Sequence, residues 1–186
     1  MKQADAAALP TYRPRRATLR DGRQVLIRAV RPDDAGEIQQ AFDRMSSASR
    51  YMRFMQHKRE LDPERLQHGV HPVAGREFVL VATIPAADGI DIVGAVRYVA
   101  APDRDTCEFA VTVADDWQRV GLAATLMRSL IRRAARDGYR SIEGLVLRDN
   151  QGMLDLAHRL GFQVKFEPGD GSLRRVVRRL AQPAPR

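Results

Sequence analysis

Two short stretches of the chain carry residue types that do chemistry. The first is Asp115-Asp116-Trp117-Gln118-Arg119-Val120-Gly121-Leu122-Ala123, which lies between a run with strand alternation and a run with helical periodicity. Gly121 and the small Ala123 let a ligand approach the backbone closely. The unpaired N–H groups of a helix start point the same way, and the helix dipole favours an anion there. This spacing suits a diphosphate; it equally suits a tight turn with no ligand. The second stretch is Glu108, placed mid-strand among apolar neighbours. Burial there would raise its pKa toward the range in which a carboxylate serves as a general base. The competing reading is a solvated glutamate on a strand face.

Other reactive side chains read more plainly. His57, His68 and His71 lie near one another, but no carboxylate spacing completes a metal site. Cys107 alternates onto the same strand face as Phe109 and Val111, so it reads as core. Arg50 and Arg53 either contact a ligand or brace a helix. Arg174, Arg175, Arg178 and Arg179 flank a strand and read as a solvated edge that resists strand addition. No aromatic residues interleave with them, which disfavours nucleic acid as a partner.

The elements that must position these groups follow from periodicity and caps. Residues 25–30 form a strand after the turn Asp21-Gly22. Pro32-Asp33-Asp34 starts a helix, with Asp34 and Glu37 spaced as a capping box. Ser46 and Ser47 cap a second helix carrying Tyr51, Phe54 and Met55, and Asp62-Pro63 opens a third. Residues 78–84 and 92–100 form a hairpin across Asp88-Gly89, and 106–114 is a third strand in that series. A long helix spans 121–137, with Leu122, Leu126, Leu130 and Ala134 on one stripe and Gly138 at its end. A strand at 141–147, a helix at 153–160 and a strand pair at 164–166 and 173–180 complete a mixed α+β sheet. The ends, 1–17 and 182–186, lack apolar periodicity and read as flexible tails around one domain at 18–181.

Composition narrows the function classes. The 186 residues are one domain's length, with 44% apolar and 29% charged residues. A single cysteine excludes an internal disulfide and a cysteine-based zinc site, and suits a reducing cytoplasm. No run approaches the roughly 18 apolar residues of a membrane span, and residues 1–16 show no apolar secretion segment. The net charge of +8, with arginine supplying 28 of 31 cations, predicts an anionic partner: phosphate, cofactor or nucleic acid.

Gln118, Gly121 and Ala123 match the pattern Gln/Arg-x-x-Gly-x-Gly/Ala, and Glu108 stands ten residues before Gln118. Asn150 follows the next strand, and Leu160-Gly161-Phe162 closes the next helix. Over residues 106–162, and more loosely 25–180, the chain resembles the GNAT superfamily of acyl-CoA-dependent N-acyltransferases. Ser49-Arg50-Tyr51-Met52-Arg53-Phe54, Glu108-Phe109-Ala110-Val111, Asn150 to Met153 and Leu156-Ala157 resemble, more narrowly, the acetyltransferase domain of bacterial protein-lysine acetyltransferases.

The resemblance implies a mostly antiparallel sheet of six to seven strands flanked by about four helices. It implies acetyl-CoA as cosubstrate and no metal. The cofactor contacts it implies are Val111, Val113, Gln118, Arg119, Val120, Gly121, Leu122, Ala123 and Asn150, with Val111 and Val113 acting through their backbone. Glu108 is the implied base for direct attack by an amine. A lysine side chain on a protein, such as an acyl-CoA synthetase, is the implied acceptor. The alternatives are a small-molecule amine, or a non-catalytic module that senses acyl-CoA. The expected protein is cytoplasmic, a monomer or homodimer, without nucleic-acid or membrane partners. One position departs from the pattern: the tyrosine that many members use to protonate the leaving thiolate is Ala157 here, with His158 beside it.

Overall fold

A computed structural model describes residues 12–103 and 105–181. The stretches 1–11 and 182–186, read above as tails, lie outside the described residues. The chain opens with two strands, β1 (Arg15–Thr18) and β2 (Gln24–Ala29), followed by a single 3-10 turn at Pro32–Asp34. Three helices come next, α1 (Ala35–Asp43), α2 (Ser47–Phe54) and α3 (Pro63–Val70). Then follow β3 (Glu77–Ala86), β4 (Gly89–Ala100), β5 (Thr106–Val113), α4 (Leu122–Arg136), β6 (Ser141–Leu147), α5 (Gln151–Arg159), β7 (Gln163–Phe166) and β8 (Leu173–Arg179). They build one eight-stranded sheet in the order β1-β2-β3-β4-β5-β6-β8-β7. Every neighbouring pair is antiparallel except β5 and β6.

The central helix follows its sequence stripe. Leu122, Leu126, Met127, Leu130 and Ala134 of α4 are at most 1% exposed and pack on one face of the sheet. Gly94 of β4 marks how closely: a Cβ there would stand 3.0 Å from Leu126. Strand alternation turns Ala95, Arg97, Ala110 and Thr112 to the opposite face, where α1 to α3 form a roof. Ser46 caps α2 by accepting the Ser49 N–H, and Asp62 caps α3 by accepting the Glu64 N–H, as their positions predict. Among the described residues no helix is long and apolar enough to cross a membrane.

Four expectations are corrected. Residues 15–17 are not tail: Arg15–Thr18 pairs with β2, raising the count to eight strands. Its sequence, RRAT, has no apolar alternation, and main-chain pairing plus an Arg15 hydrogen bond to the Ser129 hydroxyl hold it. The helices number five rather than four. Asp34 does not cap α1; its carboxylate accepts from the Arg31 N–H and takes a bidentate contact from Arg28, at 2.6 and 2.7 Å. The arginine-rich strand is not an edge, since β8 lies between β6 and β7. Arg175 there pairs with Glu143 and Glu167, Arg174 stacks on Phe166, and Arg178 donates to the Leu160 carbonyl. Those three cations are therefore engaged within the fold.

Candidate active site

The site begins where two strands part. β5 and β6 pair in parallel only from Thr106 and Ser141 to Glu108 and Glu143. Beyond that point Phe109 lies over Gly144, where an added Cβ would meet its ring at 2.9 Å. Phe162 closes on Phe109 edge-on, with ring centroids 5.3 Å apart. The large ring fits only because residue 144 has no side chain.

The parting leaves backbone exposed in a defined phase. The Ala101 N–H donates to the Thr106 carbonyl and the Ala114 N–H to the Val93 carbonyl, so even-numbered residues of β5 turn their amides toward β4. Val111 and Val113 therefore turn theirs toward β6, into the gap. The gap is a cleft of about 550 Å3 lined by Glu108, Val111, Val113, Gln118, Arg119, Gly121, Ala123 and Asn150, among others. Two of the expected contacts, Val120 and Leu122, do not line it. Leu122 is 1% exposed and packed in the core, and the Val120 carbonyl accepts from the Arg20 N–H.

At one end of the cleft the chain turns into α4. One 3-10 turn at Asp115–Trp117 leads to Arg119 and Gly121, which take left-handed φ values of 63° and 93°. This backbone route favours glycine at 121. Thr125 makes the first helical hydrogen bond, to the Gly121 carbonyl. Among the described residues, the N–H groups of 119–124 meet no acceptor. Free donors at the positive end of a 15-residue helix suit an anion. This fits the diphosphate of a nucleotide-like cofactor.

Neighbouring elements fix the turn. Asp115 accepts the Ser46 N–H at 2.8 Å and the Ser49 hydroxyl, binding the start of α2 to the turn. Burial works to raise the Asp115 pKa, but these hydrogen bonds hold it below the ordinary carboxylate value. Gln118 donates to Ser49 Oγ at 3.1 Å and to Asp115 Oδ1 at 3.0 Å, so its side chain ties turn to helix. From the β1–β2 turn, the Arg23 guanidinium lies 4.0 Å over the Trp117 ring, and Arg20 lies against Gly121. Asn150 caps α5 by accepting the Met153 N–H at 3.1 Å.

Glu108 lies at the cleft wall but is exposed. Burial, the cause the sequence reading relied on, is absent at this residue. Arg20 and Gly144 escaped the sequence reading, which named Ser49 and Asp115 without giving either a role of its own. Only Gly144, a glycine inside a strand pattern, left a local sign of close approach.

An acetyltransferase (GNAT) domain family model matches residues 24–163. An acetyltransferase of Pseudomonas aeruginosa is 37% identical over 164 residues, spanning 88% of this chain and 87% of that protein. The chain belongs to the GNAT acetyltransferase family. Two solved structures share the fold. The GNAT domain of S. lividans PAT gives a TM-score of 0.82 at 24% identity, over 90% of this chain and 97% of that one. A Salmonella typhimurium acetyltransferase, yncA, solved with its cofactor acetyl-CoA, gives 0.68 at 23% identity, over 87% and 96%.

As a GNAT acetyltransferase the protein is an acyl-CoA-dependent enzyme with acetyl-CoA as cosubstrate. Two positions near the leaving-group side hold no acid inside the cleft. Ala157 is fully buried, and His158 is exposed on α5 and does not line the cleft. Cys107 is core: burial pushes its thiol up to about 12. His57 stacks on Tyr51, and His71 contacts the Gln67 carbonyl. Among the described residues no three His, Cys, Asp or Glu side chains gather as a metal site. The two arginines of α2 divide: Arg50 braces the helix by donating to the Asp43 and Arg59 carbonyls, whereas Arg53 lines the cleft.

Proposed function

We propose that this protein acetylates the primary amine of a small molecule by direct attack, with Glu108 as general base. One observation carries the reading. A second cavity, of about 340 Å3, lies under the roof of α1 to α3 and shares Met45, Arg53, Ala110 and Thr112 with the cofactor cleft. Donor and acceptor entering these two spaces meet at Ala110 and Thr112. Its size is near the lower end of ligand pockets, suited to a metabolite-sized amine. The protein-lysine acceptor favoured from sequence rests on the resemblance to bacterial protein-lysine acetyltransferases, and the exposure of Glu108 at the cleft wall is the observation that supports it. A purely acyl-CoA-sensing module would leave the second cavity without a use.

The side chains then divide the work. Bound acetyl-CoA supplies the acyl group as a thioester. The free N–H groups of 119–124 hold its diphosphate, and the Asn150 amide faces the same cleft. The Val111 and Val113 main chain receives the pantetheine arm in the manner of an added strand. The Val111 N–H, turned into the gap, donates to the carbonyl oxygen as negative charge develops there. An alkyl amine has a pKa of ~10.4 and is mostly protonated at neutral pH. Glu108 accepts that proton, directly or through a water. The N–C bond forms as the C–S bond breaks, and solvent protonates a thiolate whose pKa of ~8.5 makes it a fair leaving group.

The test is thiol release with a panel of amines, beside acetylation of whole protein. Glu108→Gln should lower kcat about 100-fold while calorimetric affinity for acetyl-CoA stays unchanged. Equal loss of both would indicate damage to β5 instead. Acetylation of protein lysines with no turnover of small amines would overturn the small-molecule reading.

A further inference from the structure

The cavity under the roof has an unusual charge balance. Its walls are mostly aliphatic and aromatic, yet Arg53, Lys58, Arg65 and Arg97 line it, and no aspartate or glutamate does. Arg53 donates from Nε to the Thr112 hydroxyl at 2.8 Å and stacks on Phe54, 4.8 Å from the ring centroid. Among the described residues it has no carboxylate partner. Burial and the neighbouring Arg97 guanidinium push Arg53 down to about 10. Arg97 reaches one carboxylate, Glu77, at 3.6 Å, and its own Nε is buried without an acceptor.

Two neighbouring guanidinium groups, both partly buried, repel each other. The partners of Arg53, the Thr112 hydroxyl and the Phe54 ring, carry no negative charge to offset that repulsion. An anion entering the cavity would. Arginine also supplies the planar fork that matches a carboxylate, which a lysine lacks.

We propose that the acceptor carries a carboxylate as well as its amine, and that Arg53 and Arg97 bind that carboxylate while the apolar walls take the rest of the molecule. The acceptor is then amino-acid-like. This deepens the small-molecule acetyl-transfer reading and rests on it. The register supports the arrangement. Arg97 stands opposite Ala110, Arg53 bonds Thr112, and Glu108 lies on that same face of β5. Two residues of strand separate Glu108 from Ala110 by ~7 Å. An acceptor lying across the small Ala110 thus turns its carboxylate to the arginines and its amine toward Glu108.

The test uses matched acceptors that differ only at the anion: leucine, leucinamide and isopentylamine, with the phenylalanine, phenylalaninamide and phenethylamine series beside them. Thiol release gives kcat/KM, and calorimetry gives the binding of N-acetyl-leucine and N-acetyl-leucinamide in the presence of CoA. The acids should exceed their neutral counterparts by about 10- to 100-fold in both measurements. Arg53→Gln should erase that preference, read as the ratio of acid to amide kcat/KM within the variant. Arg97→Gln should reduce it, and melting temperatures show whether each variant is folded. Equal rates and equal binding for acids and amides in the wild type would overturn the carboxylate site, as would a preference that survives both substitutions. If acetyl-CoA binds but no amine turns over, the small-molecule reading fails instead. The binding of N-acetyl-leucine against its amide then decides the carboxylate site alone.

Discussion

The two halves of this site are built by different means. The proposed cofactor half comprises β5, the turn at 115–121 and the start of α4. It is contiguous in sequence, and its ligand groups are largely main-chain amides. The acceptor half is the space between α1 to α3 and the sheet. Its polar groups are side chains from α2, α3 and β4, set facing each other across the sheet surface. A contiguous turn made of backbone needs only permissive residues, so it leaves a short, readable pattern. A cavity made of distant side chains leaves no pattern along the chain.

The difference predicts where each half breaks. The largest effect should come from the ion pair at the root of the acceptor roof. Arg28 and Asp34 are 5% and 3% exposed and bind each other twice, fixing the chain where it leaves β2 for α1. Arg28→Ala leaves the carboxylate buried and unpaired, and should cost about 3–5 kcal/mol in urea unfolding. The double variant with Asp34→Ala should cost less. The pH dependence has a definite sign. Burial works to raise the Asp34 pKa, but the Arg28 hydrogen bond, the Arg31 N–H and the Arg28 charge hold it below its ordinary value of 3.8. A carboxyl lowered on folding adds stability that is present above pH 3.8 and lost as pH falls through the folded pKa. Wild-type stability should therefore fall more steeply with acid than that of Asp34→Asn.

Next in size is a break confined to the cofactor half. Gly121→Glu places a carboxylate at the anion site and strains a left-handed residue. Acetyl-CoA affinity should drop at least about 100-fold by calorimetry. Gly121→Ala adds only the strain, about 1–2 kcal/mol of stability, and should keep most of the affinity. Retained binding in Gly121→Glu would place the diphosphate elsewhere. Smaller again is Gly144→Ala, whose new methyl meets the Phe109 ring at the point where β5 and β6 part. It should lower stability by about 1–3 kcal/mol and weaken acetyl-CoA binding as the ring shifts into the cleft. An unchanged melting temperature would mean that the ring has room to move.

Legibility in the sequence follows the same division. Apolar runs and turn signals located β3 to β6, with alternation along β5; the apolar stripe located α4, and Ser46 and Asp62 announced their helices as caps. Gln118, Gly121 and Ala123 marked the turn. The strand at Arg15–Thr18 was hidden because main-chain pairing, rather than apolar alternation, holds it. Asp34 looked like a cap because its buried partner, Arg28, lies on the preceding strand. Glu108 looked buried because its chain neighbours are apolar, whereas its exposure depends on what the rest of the fold lays over it. Arg50 and Arg53 were indistinguishable one turn apart; one faces α1 and the other faces the sheet.

By itself the sequence determined the fold class, the order of most elements and the glycine turn into α4. These depend on periodicity, caps and glycine freedom, all of which act over a few residues. The tertiary structure decided the parting of β5 from β6, the exposure of Glu108 and the meeting of Arg53 and Arg97 in one mostly apolar cavity. Each depends on the distance between segments far apart in the chain, which packing sets and local propensity does not encode.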